Sequence, residues 1–342
     1  MTIKDIARLS RYSVSTVSRA LNDHPDINQD TKKKILKIAR DNNFVPNSNA
    51  IRLKAFEENS VVIIVKGEFN LFFSSLIEHL QFYIEKSGFR GFTNYIHTSE
   101  NEIQTAIRVC AEQKPKGIVF LGGDIENFRK DFERINIPCV LCTAISLELD
   151  YPNLSCISAD DLAGGAMAIK FLLEKGHRNI GIIGGDISTE CSCQLRYEGC
   201  LKGFEEYGLS FDTDLYEYSS FDFNDSYNSV KRLIKRHPEI TAIFSMSDVM
   251  AIGASTALMD MGYSVPEDIS VIGFDGIEIS KFFKPKITTF IQPQDKIAKK
   301  SIELLTSMIN GKKPARVLLQ TKLIERESVV EHMEVSNVSV QF

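Results

Sequence analysis

The chain has 342 residues, 43% hydrophobic and 25% charged, which is enough for two or three globular domains and excludes a disordered or collagen-like protein. No apolar run approaches the roughly 20 residues of a membrane-spanning helix, and residues 1–20 lack a signal-peptide apolar region, so we expect a cytoplasmic protein without a membrane partner. The net charge of −5 hides a surplus of +6 in residues 1–54, which predicts that this short basic segment meets a polyanion.

Residues 1–46, the head, are expected to form three short helices. The first covers Thr2 to Leu9 and is capped by Thr2, and the second follows Ser13, a plausible N-cap. The third opens at residues 28–31, and Pro46 ends the unit because proline is excluded from helix interiors. Two short helices joined by a tight turn and followed by a third predict a helix-turn-helix unit.

From Val61 onward, in the body, apolar strands alternate with helices. This pattern predicts parallel sheets that are covered by helices on both faces. We expect strands near 61–65, 92–97, 117–123, 138–143, 179–185, 242–248 and 269–275, and helices near 72–87, 100–113, 125–135, 161–175, 194–207 and 249–261. The strands divide near residue 158, which predicts two doubly wound lobes with a cleft between them. Residues 122–124 and 184–186 both read Gly-Gly-Asp after a strand and hint at a repeat.

Motifs that would indicate an enzyme are absent from the sequence. There is no phosphate-binding loop, dinucleotide-binding turn, zinc-protease motif or nucleophile elbow. The seven cysteines are odd in number, and the pairs Cys139/Cys142 and Cys191/Cys193 lack a further pair at zinc spacing. We therefore expect no catalytic residue, no metal site and no cofactor.

The start of the second head helix is a candidate for reading DNA. A recognition helix in the major groove contacts base edges through residues near its N-terminus, which here are Val14 and Ser15. One turn further on, Arg19 can donate two hydrogen bonds to guanine, while Thr16 and Ser18 suit phosphates. Alternatively, Arg19 is only a solvated helix residue, but the pattern of the whole head favours base reading.

Several segments of the head and the body have a distinctive sequence. The head carries TIKDIARLSRYSVSTVSRALN followed by PNSNAIRLK. The body carries FNLFF, KGHRNIGIIGG, RYEG, SDVMAIGA, VPEDISVIGFDG and ITTFIQP. Together these segments resemble the LacI/GalR family of bacterial transcription regulators. The resemblance implies a DNA-binding head, a hinge, a body folded like periplasmic sugar-binding proteins, and a homodimer. It also implies a small-molecule effector, expected to be a sugar or sugar derivative, between the lobes.

The resemblance implies a division into four parts: the head (1–46), a hinge helix and linker (47–60), an N-terminal lobe (61–158 and 291–321), and a C-terminal lobe (159–290 and 322–342). Eight residues, 47–54, are too few for a stable isolated helix, so we expect them to order only on operator DNA. The stretch 329–342 has no leucine heptads, so we expect a dimer and no tetramer.

Family roles carry over to matching positions. The implied DNA-binding residues are Thr2, Val14, Ser15, Thr16, Ser18, Arg19, Asn47, Ala50 and Leu53, of which Leu53 matches the leucine that enters the minor groove. The implied effector-binding residues are Asn70, Phe72, Phe73, Arg196, Phe221 and Asp248. The strand pattern adds Asp275, because Asp248 and Asp275 both follow apolar strands, at the edge where doubly wound lobes bind ligands. Alternatively, Arg196 and Asp248 form a structural ion pair.

Several positions depart from the family pattern. Arg11 and Tyr12 replace the glycine and small apolar residue of the turn, and Ile51 replaces a polar hinge residue. Leu71 and Ser247 replace a proline and an asparagine at the expected cleft, so the pattern does not identify the effector.

A phosphocarrier co-regulator, used by some relatives, stays an open partner. The alternative function is a solute-binding receptor without DNA binding, but such a protein has no use for a basic helix-turn-helix.

Overall fold

The computed structural model describes residues 2–21, 26–42, 44, 59–67, 70–146, 148–188 and 192–332. The chain divides into two units, residues 1–58, which contain the head, and residues 59–342, which contain the body. The expected hinge helix, residues 47–54, lies outside the described residues. None of the described helices has the length and apolar content needed to cross a membrane.

Three helices build the head: α1 (Ile3–Ser10), α2 (Val14–Leu21) and α3 (Gln29–Asp41). The first two are capped as predicted. Thr2 Oγ1 accepts a hydrogen bond from the Asp5 amide, and the Asp5 carboxylate accepts one from the Thr2 amide. Ser13 Oγ accepts a hydrogen bond of 3.1 Å from the Thr16 amide. The predicted helix-turn-helix is therefore confirmed.

A small core holds these helices together. Its fully buried members are Ile6, Val17, Ala20 and Ile35. The Tyr12 ring packs against this core, and the Lys34 ammonium lies 5.5 Å from the ring centroid. The aromatic side chain at the turn is thus accommodated by packing, although a smaller residue was expected there.

The turn after α1 places Arg11 in the left-handed region, with φ 62° and ψ 30°. This conformation costs a residue with a Cβ about 1–2 kcal/mol but costs glycine little. Replacing Arg11 with glycine should therefore raise the free energy of unfolding of the head by about 0.5–1 kcal/mol, after the entropy of glycine in the unfolded chain is subtracted. Native-state hydrogen exchange of the α1 and α2 amides measures this change.

The matched control is Arg8→Gly, which places glycine inside α1 and should destabilise the head by about 1 kcal/mol. Faster exchange in Arg11→Gly than in the wild-type head would contradict the strain argument.

The N-terminal lobe is built on a six-stranded sheet. Its strands are β1 (Ser60–Lys66), β2 (Arg90–Ile96), β3 (Gly117–Leu121), β4 (Cys139–Cys142), β5 (Leu154–Ala159) and β11 (Arg316–Leu319). Their order is β11-β5-β4-β3-β1-β2, and neighbouring strands are parallel. Its helices are α4 (Leu71–Lys86), α5 (Glu102–Gln113), α6 (Ile125–Asp131) and α11 (Gln294–Ile309). Two apolar clusters contain alternate side chains of this sheet, as expected for a sheet covered on both faces.

The C-terminal lobe has a second six-stranded sheet. Its strands are β6 (Ile180–Gly184), β7 (Tyr216–Tyr218), β8 (Ala242–Ser245), β9 (Ser270–Asp275), β10 (Thr288–Ile291) and β12 (Lys322–Ile324). Their order is β12-β10-β9-β8-β6-β7, in which only the pair β10–β12 is antiparallel among the described pairings. Its helices are α7 (Asp161–Glu174), α8 (Ser192–Glu205), α9 (Phe223–Arg236) and α10 (Asp248–Asp260).

The chain passes between the two sheets three times, after β5, after β10 and after β11. Strands β5 and β10 run through Ala159 and Ile291, one residue beyond the expected lobe boundaries. Strands β5, β7, β10, β11 and β12 and helices α9 and α11 were not among the elements predicted from the pattern. Most of these strands have only three or four residues, too short for an apolar run, and β5 (LSCISA) interrupts its apolar side chains with serine.

Candidate DNA-binding head and effector cleft

Helix α2 presents one polar face and buries the other. Val14 is 42% exposed, and Ser15 and Arg19 are exposed, because Val17 and Ala20 turn the opposite face into the head core. The hydroxyl of Ser13 contacts those of Ser15 and Thr16, at 2.7 and 2.8 Å. The roles of Val14, Ser15 and Arg19 in reading bases stay predictions. The structure leaves these three side chains exposed at the surface of the head.

The other residues expected to contact DNA are either engaged within the head or lie outside the described residues. The Thr2 hydroxyl already bonds the Asp5 carboxylate at 2.9 Å, as part of the helix cap. Ser18 is half-buried on α2. Asn47, Ala50 and Leu53 lie outside the described residues.

The two lobes of the body face each other with the carboxyl ends of their parallel strands. Ser192, at the start of α8, donates a hydrogen bond of 2.7 Å to the carbonyl of Thr143, just after β4. Val249 and Ile277 of the C-terminal lobe join the apolar cluster of the N-terminal lobe. Ligands of doubly wound sheets bind at such edges, so the cleft between the lobes is the candidate effector site.

Arg196 lies at this edge with its guanidinium almost fully buried. Its Nε donates to Asp161 Oδ1 at 2.8 Å, and one terminal nitrogen donates to the Met246 carbonyl at 2.5 Å. Its other terminal nitrogen is 3.9 Å from Asp275 Oδ1, and the group stacks 3.9 Å above the Phe274 ring centroid. Burial opposes the charge, but the carboxylates of Asp161 and Asp275 outweigh it and raise the pKa of Arg196. The arginine is therefore held as a cation.

The alternative ion pair of Arg196 is present, but its partner is Asp161 and not Asp248. Asp161 and Arg196 meet because α7 and α8 pack with their backbones in contact. A side chain at Gly165 would overlap the Arg196 carbonyl, and one at Gly199 would overlap that of Leu162. Only residues without a Cβ allow this approach. Burial raises the pKa of Asp161, and the Arg196 guanidinium opposes that rise.

Asp248 lies beneath the cleft, fully buried. Its Oδ2 accepts a hydrogen bond from the Ile277 amide at 2.8 Å, and its Oδ1 contacts Thr289 Oγ1 at 2.5 Å. These bonds join α10 to the segment after β9 and to β10, which is a structural task. Asp275 ends β9 with φ 106° and accepts a hydrogen bond of 2.7 Å from Gln292. Of the two aspartates, Asp275 is the one that approaches Arg196.

Two aromatic rings stand at equivalent strand ends, one in each lobe. A Cβ at Gly122 would lie 3.3 Å from the Phe73 ring, and a Cβ at Gly185 would lie 3.2 Å from the Phe221 ring. Gly122 is the first glycine of its Gly-Gly-Asp sequence and Gly185 the second, and each directly follows its strand, so a ring packs on a glycine just beyond each strand end. Phe221 is 38% exposed, which leaves ring surface for a ligand.

The other two expected effector residues take structural places. Asn70 caps α4, with its side-chain oxygen accepting from the Phe73 amide at 3.1 Å. Phe72 is 4% exposed and lies in the core of the N-terminal lobe. The structure thus brings together Arg196 and Asp275 but keeps Phe72 within the core.

Sequence reasoning missed a second buried ion pair at the strand ends. Lys66, the last residue of β1, lies 2.7 Å from Glu102, which is fully buried and also accepts from the Asp124 amide at 2.6 Å. The only signal for this pair in the sequence was a lysine at the end of an apolar strand. Within the described ranges, no group of three or more His, Cys, Asp or Glu is arranged to hold a metal ion.

The buried carboxyls predict that the body loses stability as the pH rises. Burial, with a contribution from Asp275, raises the pKa of Asp248 to about 8, and burial raises the pKa of Asp275 to about 7. Unfolded aspartate titrates near pH 3.9, so between about pH 4 and 8 the folded chain binds more protons. This stabilisation is complete below the unfolded pKa and is lost through the folded one, with a slope of up to about 1.4 kcal/mol per pH unit for each carboxyl.

Urea unfolding of the full chain between about pH 5 and pH 9 measures this loss. Asp248→Asn should flatten the dependence, because the amide imitates the protonated acid toward Ile277 and Thr289. An equally steep decline in that variant would assign the effect to other groups.

Comparisons with known proteins agree with this architecture. The family described as bacterial regulatory proteins, lacI family, matches residues 2–47, and a periplasmic binding protein-like domain matches residues 169–329. The HTH-type transcriptional regulator MalR of Clostridium butyricum is 36% identical over 336 residues, which are 96% of this chain and 99% of that protein.

Two solved structures share the fold over the same extent. The lac repressor dimer bound to operator and the anti-inducer ONPF gives a TM-score of 0.76 at 22% identity. The complex of the transcriptional regulator CelR with cellobiose gives 0.71 at 24% identity. Each comparison covers 96% of this chain and 99% of the other.

The head, the two-lobed body and a full-length relative at 36% identity lead to one conclusion. A solute receptor without DNA binding is not favoured, because the head matches the lacI family of bacterial regulatory proteins and the full-length relative is an HTH-type transcriptional regulator. The chain belongs to the lacI family of bacterial regulatory proteins.

Proposed function

We propose that the protein is a repressor that binds a pseudo-palindromic operator as a homodimer and responds to a sugar in the cleft. The observation that carries the effector part is the approach of Arg196 to Asp275 at 3.9 Å, at the carboxyl edge of the C-terminal lobe. A guanidinium donates hydrogen bonds and a carboxylate accepts them, so the two together suit the hydroxyl groups of a sugar. The similarity to a regulator solved with cellobiose supports the same class of effector.

An exposed apolar surface of the body supports the homodimer. Phe282 is 72% exposed, Ile279 45% and Leu71 41%. Leu71 and Ile279 line a cavity of about 550 Å³ between the start of α4 and residues 276–281. Large apolar side chains grouped at a surface are typical of protein interfaces. A two-fold dimer through this surface would give the two heads that a pseudo-palindrome requires.

Both lobes contribute to this surface, so a dimer through it would link the cleft to the pairing of the two heads. Effector binding that changes the angle between the lobes would move Leu71 relative to Ile279 and alter the contact with the second subunit. The two hinges would then order together more or less readily, with Leu53 inserted at the operator centre. A phosphocarrier co-regulator is not part of this proposal, because no feature of the described residues supports one.

The test starts from a pool of random duplexes from which the full-length protein selects its operator. We expect an inverted repeat, and we expect one of glucose, cellobiose or ribose to change operator affinity about 5–150-fold, the usual range of allosteric coupling. By linkage, the operator must change the affinity for that sugar by the same factor. Leu53→Ala should reduce the operator bend in a gel-phasing assay, which checks the hinge. Selection without any sequence preference would overturn the proposal.

A further inference from the structure

Two cations at the strand ends of the cleft, Arg196 and Lys66, each pair with a buried carboxylate. In the C-terminal lobe, Arg196 pairs with Asp161 at 2.8 Å, and the side chain of Asp161 is only 2% exposed. In the N-terminal lobe, Lys66 pairs with Glu102 at 2.7 Å, whose side chain is fully buried. A cation already neutralised in this way has little attraction left for an anionic ligand.

Further carboxyl groups lie near Arg196, so the net charge of the site is no more positive than that of the ion pair. Asp275 lies 3.9 Å away, and Asp248 lies near Asp275. Whatever the protonation of these two, the set with Arg196 and Asp161 never exceeds neutrality while the ion pair is intact. The undescribed segments of the body, 68–69, 147, 189–191 and 333–342, read EF, L, TEC and MEVSNVSVQF, so none of them contains a lysine or arginine.

We propose that Asp161 determines the charge specificity of the cleft: by neutralising Arg196, it restricts the effector to uncharged sugars and excludes phosphorylated ones. This inference rests on the proposed function, since it concerns the effector of the same cleft.

The chemistry of the hydroxyl group explains the selection. A sugar hydroxyl can accept from the remaining N–H groups of Arg196 and donate to Asp275, so one group satisfies both neighbours. A phosphate dianion would meet the same N–H groups of Arg196, but it finds no net positive charge there because Asp161 neutralises the guanidinium. It has no hydrogen to donate to Asp275, and that carboxylate repels it above about pH 7, where Asp275 is ionised.

The first experiment titrates the full-length protein with inorganic phosphate at constant ionic strength and follows the melting temperature. We expect no saturable shift for the wild-type protein. Asp161→Asn keeps an oxygen that can accept from Arg196 Nε but removes the charge, so it should show a saturable shift, with half-saturation at least about tenfold below the highest phosphate concentration that leaves the wild-type protein without one. The double variant Asp161→Asn/Arg196→Gln should lose this gain.

The matched control is Asp268→Asn, which removes a carboxylate elsewhere in the same lobe that accepts a hydrogen bond from the Ser264 amide and neutralises no cation among the described residues. It should gain no phosphate affinity. Saturable phosphate binding by the wild-type cleft, or no gain in Asp161→Asn, would overturn the inference. The wild-type titration requires no variant, so it decides the charge argument even if Asp161→Asn does not fold.

The second experiment compares glucose with glucose 6-phosphate and cellobiose with cellobiose 6-phosphate by calorimetry on the wild-type protein. We expect the phosphorylated member to bind at least about 100-fold more weakly. A phosphorylated sugar that binds as tightly and changes operator affinity would overturn the inference and leave the proposed function intact. If no sugar changes operator affinity, the proposed function fails, while the phosphate titration still decides the role of Asp161.

Discussion

Replacing Arg19 with alanine is expected to weaken operator binding by about 1–3 kcal/mol and to relax the preference for one base pair in each half-site. The side chain is exposed on α2, one turn after Val14 and Ser15, while Val17 and Ala20 fix the helix in the head core. An arginine in this position can donate two hydrogen bonds to guanine, which no other base accepts in the same geometry. Binding curves against the operator and against single-base variants measure both effects.

Arg40→Ala provides the matched control, because Arg40 is an exposed arginine near the end of α3. A contact with phosphate alone would lower affinity for all sequences alike and reduce the salt dependence by about one ion. We expect Arg40→Ala to leave the ranking of operator variants unchanged. If Arg19→Ala also kept the wild-type ranking, Arg19 would be a phosphate contact and the base-reading assignment would be wrong.

Replacing Arg196 with alanine is expected to abolish effector binding and to destabilise the body by about 3–5 kcal/mol. The variant loses the donor that faces Asp275, and it leaves Asp161 as a buried carboxylate without its cation. Arg196→Lys should rescue little, because an ammonium group cannot reach Asp161 and the Met246 carbonyl as the guanidinium fork does. Urea unfolding measures the loss of stability, and calorimetry with the sugar that changes operator affinity measures the loss of effector binding.

A double variant separates stability from recognition. Arg196→Met/Asp161→Leu removes both charges and replaces them with apolar side chains, which commonly restores the stability lost when one partner alone is removed. We expect it to fold, to keep operator binding, and to lose the sugar. Wild-type sugar affinity in this folded variant would show that the effector binds elsewhere.

Local sequence signals determined the head. Thr2 and Asp5 lie three residues apart and cap α1, and the spacing of Val17 and Ala20 fixes which face of α2 is buried. The apolar runs of β1, β3, β6 and β9 were likewise visible, because a strand buried on both faces is apolar throughout. These features depend on residues that are close together in the sequence, so the sequence alone is enough to predict them.

The resemblance to a family supplied most of the candidate residues of the cleft but did not decide their roles. The strand pattern supported Asp248 and Asp275 equally, since both follow an apolar strand. The structure separates them: Asp248 uses both oxygens to join α10 to the following segments, whereas Asp275 faces Arg196. Phe72 and Phe73 are adjacent in sequence, yet one enters the core and the other lies against Gly122.

The sequence by itself therefore determined the helix-turn-helix, the alternation of strands and helices, and the basic charge of residues 1–54. Only the tertiary structure decided which carboxylate neutralises Arg196. Asp161 is 35 residues away from it in sequence, and the two meet because Gly165 and Gly199 let the backbones of α7 and α8 come into contact. The charge of a binding site depends on such long-range packing, because an ion pair forms only between groups that the fold brings within a few ångströms.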